Sequence, residues 1–82
     1  MNLANTQRSV HTAFNALINA QKASTKASDA RFALPAGSSR AKVTTANARW
    51  MRASEDRDRQ AERLRKELLA ALALLGPLGG GA

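Results

Sequence analysis

No cysteine occurs in the chain, so disulfide staples, thiolate zinc sites and a thiol nucleophile are all excluded. Aromatic side chains are nearly missing as well. Phe14, Phe32 and Trp50 stand alone and there is no Tyr, too few for the stacked aromatics of an RNA-binding sheet. The longest apolar run, Leu68 to Leu75, falls far short of the roughly 20 residues that a membrane-spanning helix needs. No charged segment followed by an apolar stretch opens the chain, so no secretory leader is read. A soluble, cytoplasmic protein without cofactor or metal is therefore expected.

Carboxylates are absent from one long stretch. Between Asp29 and Glu55 the chain contains Arg31, Arg40, Lys42, Arg49 and Arg52 and no acid. Across residues 1–53 there are eight bases against one acid, whereas residues 54–82 balance five against five, so the net charge of +7 belongs wholly to the first part. An uncompensated run of this kind suits a phosphate backbone, because each neutralised phosphate releases condensed counterion. Thr, Ser and Asn nearby can add neutral hydrogen bonds to phosphate oxygens. The bland account is a solvated helix face.

What the chain does contain is alanine and helical periodicity. Half of the 36 hydrophobic residues are Ala, which favours helix while burying little area. Leu3, Val10, Phe14, Leu17 and Ile18 fall in one arc at 100° per residue. Beyond Ile18 the arc holds Gln21, Thr25 and Ser28, so the first helix is expected over about residues 3–28. In FALPAGSS, Pro35 pushes Leu34 out of helical dihedrals and Gly37 offers a flexible turn, placing a connection near 33–38. Ser38 or Ser39 then caps a second helix, expected over about 39–75. Its stripe reads Val43, Ala46, Trp50, Ala53, Arg57, Ala61, Leu64, Leu68, Ala71, Leu72 and Leu75. Ser54 followed by Glu55 and Asp56 also resembles a fresh N-cap, so a bend near 53–55 is the second option.

The expected fold is all-α: an antiparallel helical hairpin in one domain, residues 1–75, with a shorter first helix and a flexible Gly-rich tail at 76–82. Phe14, Leu17 and Ile18 should meet Val43, Trp50 and Met51. The far leucines should then overhang the first helix, and with Trp50 the positions Leu64, Leu68, Leu72 and Leu75 form an expected interface for self-association.

Catalysis is not expected. His11 is the only His, and a hairpin offers no pocket in which it could work with Asp29 as part of a triad. Glu55, Asp58 and Glu62 share a helix face, but the interleaved arginines would repel a cation; a salt-bridged exposed helix accounts better for them. The tail GGGA precedes no helix and is no phosphate loop. Neither zinc-ligand spacing nor a helix-turn-helix is found.

The function expected is therefore that of a small basic binding protein. Arg31, Arg40, Lys42, Arg49 and Arg52 would contact the phosphates of a nucleic acid, with the protein acting as a homo-oligomer. The competing class is a protein–protein module: a structural subunit of a larger assembly, or a small inhibitor or adaptor docking on an acidic protein surface. A membrane-surface role fits less well, because the bases and the strongest leucines occupy different parts of the chain.

Overall fold

The computed structural model describes residues 3–75, which form two α-helices, α1 (Leu3–Phe32) and α2 (Arg40–Leu75), packed against each other. No strand occurs among the described residues, and the molecule is a flattened rod with extents of 63 × 23 × 14 Å. The tail at 76–82, expected to be flexible, lies outside the described residues. No helix among the described residues is long and apolar enough to cross a membrane.

α1 runs past the expected stop near residue 28. The reason is the identity of the buried face. Thr6, Ala13, Ala20 and Ser24 are the buried residues of α1, and the first three recur every seven positions. Small side chains let the two helices approach closely, so the stretch QKASTKASDA is held by packing rather than by large apolar groups. Pro35 supplies the true stop. Ala33 N–H still donates to the Asp29 carbonyl at 2.9 Å, and Leu34 N–H donates to the Arg31 carbonyl at 3.4 Å.

The connection is tight and self-bonded. Ser38 donates twice to the Pro35 carbonyl, from its N–H at 3.1 Å and from its Oγ at 2.6 Å. Gly37 has φ of 87°, in the left-handed region that glycine enters without penalty. Ser39 is the N-cap of α2: its Oγ accepts from the Lys42 N–H at 3.3 Å.

α2 is unbroken from Arg40 to Leu75, with no helix end near 53–55. Ser54 does not cap anything, since its Oγ is buried without a hydrogen-bond partner. Facing α1 is a seven-residue repeat: Ala46, Trp50, Ala53, Arg57, Gln60, Leu64, Glu67 and Ala71 are all half-buried, alternating steps of four and three. That repeat places Arg57 and Gln60 in the seam.

Two expectations about pairing are overturned. Phe14 does not meet Trp50 or Met51; with Val10 and His11 it faces Leu64, Leu68 and Ala71. Leu17 and Ile18 face Arg57 and Ala61. The leucine end of α2 therefore does not overhang, because α1 lies beside it. With 30 residues against 36, the helices differ in length by only about 9 Å at 1.5 Å per residue. A longer α1 shifted the whole register toward the chain ends.

Candidate functional site

The seam creates two unlike sides, and the difference starts from side-chain chemistry. On one side the groove between the helices is lined by Ala27, Ala30 and Leu34 of α1 and by Ala41, Lys42, Thr45, Ala46 and Arg49 of α2. On the other side the groove is lined by Gln7, Val10, His11, Phe14, Leu64, Leu68 and Ala71. In the repeat, residues preceding the seam positions face one way and residues following them face the other.

The first side is basic. Lys42, Arg49, Arg52, Arg59, Arg63 and Lys66 are exposed and share this flank of α2, at spacings of seven, three, seven, four and three. Lys26 of α1, one turn before Ala30, lies on the same side. The alanines opposite are too short to screen these charges. Among the described residues three ion pairs form: Arg57–Asp58 at 3.2 Å, Arg59–Asp56 at 3.3 Å and Arg65–Glu62 at 3.1 Å. Lys42, Arg49 and Arg52 take part in none of them.

Of the five bases expected to bind phosphate, the structure brings three together and separates two. Arg31 turns inward. It is half-buried, with its guanidinium 4.6 Å from the centroid of the Trp50 ring and 5.5 Å from that of Phe32. Arg40 begins α2 on the opposite flank from Lys42. Conversely, Arg59, Arg63 and Lys66 extend the basic flank and were left out of the expected set. A helical wheel of α2 alone puts them on the arc of Lys42, Arg49 and Arg52, so their spacing is the signal that finds them.

The acidic segment behaves as an exposed, self-paired helix. Glu62 accepts from Arg65 Nε and Nη2, both at 3.1 Å. These hydrogen bonds, then the charge of Arg65 itself, hold the Glu62 carboxyl below its ordinary range, and they raise Arg65 in turn. Asp58 is engaged by both Nε and Nη2 of Arg57, at 3.3 and 3.2 Å. Two of the three carboxylates that share a face are thus held by arginine.

The expected interface residues also divide. Trp50 and Leu64 are half-buried in the seam, Trp50 beneath Arg31. Leu68 and Leu72 remain exposed, at 45% and 48%. The side chain of Leu75 lies outside the described residues. Phe14, 48% exposed beside Leu68, joins the apolar side although it was expected to be covered.

No protein-family model matches this chain, and no curated protein or solved structure matches it either.

Proposed function

We propose that the protein is a non-enzymatic binding module that grips a polyanion, most simply the phosphate backbone of a nucleic acid, along the basic flank of α2. The observation that carries this reading is the row Lys42, Arg49 and Arg52, exposed, on one side of the rod and outside every ion pair found among the described residues. Charges already matched by carboxylates would have to give up those partners first. Unmatched ones exchange only counterions for phosphate. Lys42 and Arg49 are separated by about 10 Å along the helix, at 1.5 Å per residue, a span that crosses more than one phosphate of a strand. Arg63 and Lys66 lengthen the contact, joined by Arg59 once it releases Asp56; Arg31, stacked on Trp50, positions the turn end instead. Readout of base sequence is not part of the reading. The protein works in the cytoplasm, as a self-associated form.

The test is binding to an unrelated duplex across a salt series. Affinity should fall steeply, with a log–log slope near 0.9 per phosphate contacted. Reversing two charges, Arg49→Glu with Arg52→Glu, should flatten the slope by about two and weaken binding at low salt. Salt-independent binding would refute the reading.

A protein–protein module is the second reading, favoured by the exposed Phe14, Leu68 and Leu72. In it, apolar burial supplies affinity and the basic flank steers encounter with an acidic surface. Replacing Leu68 and Leu72 by Gln would then damage binding more than the charge reversal does.

A further inference from the structure

The two broad sides of the rod differ in chemistry, and large apolar side chains stay exposed on one of them. We infer that a second copy of this chain stacks on the Phe14–Leu68 side, producing a four-helix dimer whose basic flanks face away from each other, so that one dimer joins two polyanion segments.

The hairpin alone buries almost nothing large. Among the described residues the most voluminous fully buried side chain is Thr6, and the buried apolar residues are Ala13 and Ala20. Such a chain is below what a small domain ordinarily needs to stay folded. The surface points the same way. The chain exposes 6187 Å², whereas a compact monomer of this mass exposes about 4,700 Å². Part of that surface is large and apolar: Phe14, Leu68 and Leu72 stay 48%, 45% and 48% exposed on one side of the rod.

Charge selects both the face and the partner. Each copy carries +7, so two copies repel wherever their basic flanks meet. The groove lined by Gln7, Val10, His11, Phe14, Leu64, Leu68 and Ala71 includes no Lys, Arg, Asp or Glu, and association there meets the least opposition. A lipid surface fits worse. It would need a continuous basic rim around the apolar patch, reaching headgroups, and the longest row of bases, Lys42 to Lys66, projects from the opposite side.

Stacking stands apart from polyanion binding and gives the proposed self-association a face, whereas joining two polyanions rests on the polyanion reading. The tests separate the two. The mass of the full chain in solution, without nucleic acid, should be that of two copies; a single-chain mass at the highest attainable concentration overturns the stacking. Because the chain has no cysteine, one introduced thiol reports contact directly. Leu68→Cys should form the covalent dimer on mild oxidation about tenfold faster than Arg49→Cys, since juxtaposition raises effective concentration. Equal rates, or faster coupling through Arg49→Cys, overturn the assigned face. For bridging, a bead-bound duplex should retain a second, labelled duplex when the protein is present. Phe14→Ser with Leu68→Ser should bind one duplex but lose retention of the second by about tenfold, the loss of two-point attachment. Retention unchanged in that variant overturns bridging. Failure of the wild-type chain to bind even one duplex sinks the polyanion reading and bridging together, while the mass and thiol results still decide the stacking.

Discussion

Arg57 shows what a single residue costs this hairpin. It occupies a seam position where a leucine would pack, reaches Ser24 Oγ only at 3.5 Å, and leans on Asp58. Gln60 beside it leaves Oε1 buried without a partner. Polar groups in such a seam specify register more than they stabilise. Arg57→Met should therefore raise stability, by about 1 kcal/mol or more. A thermal melt followed by circular dichroism checks it, an unchanged or lower midpoint contradicting the argument. Arg31 is the opposite case. Its stack on Trp50 should be worth about 0.5–2 kcal/mol, and Arg31→Ala should also shift the emission of the sole tryptophan. Glu62 contributes a pH dependence of known sign. Its carboxyl titrates lower in the folded chain than in the unfolded one, so its contribution is present above the ordinary Glu range and fades as pH falls through the lowered value. Glu62→Gln should remove that small acid-side loss of helix stability.

The helices themselves were largely legible, and their ends were legible where local chemistry sets them. Pro35, Gly37 and Ser39 mark the turn because their dihedral and capping properties act within a few residues. Ser39→Ala should cost about 1 kcal/mol through the lost cap. Gly37→Ala should cost about 1–2 kcal/mol through its positive φ alone, because a Cβ there meets nothing within 4 Å. Both are read from melting midpoints. What the sequence concealed was pairing. A stripe defined by large apolar residues pointed to Phe14 and Ile18, whereas the packed line runs through Thr6, Ala13, Ala20 and Ser24. Small residues carry little hydropathy, so their repeat is quiet in any search for apolar periodicity. The error propagated: a short α1 implied an overhang, and the overhang implied the wrong neighbours for Phe14. The three-member basic row survived because it depends on spacing within α2 alone. Arg31 left the row because its placement depends on α1 and on the seam, and Arg40 because two residues, about 200° of helix, separate it from Lys42.

For the molecule as a whole, the decisive property is that a row of six bases of α2 runs along one side while Phe14, Leu68 and Leu72 are exposed on the other. That division depends on a strict seven-residue rhythm, Thr6 to Ala13 to Ala20 on α1 and Trp50 to Arg57 to Leu64 to Ala71 on α2. A straight helix would drift by about 20° with each such interval, so the pair must coil leftward around a common axis. The cationic row is accordingly a shallow spiral, not a ruled line. Adding one alanine after Ser54 would turn everything beyond it by about 100° and carry Arg59, Arg63 and Lys66 away from Lys42 and Arg49. Such an insertion preserves the net charge and every charged residue, and it should still abolish the cooperation between the two halves of the row.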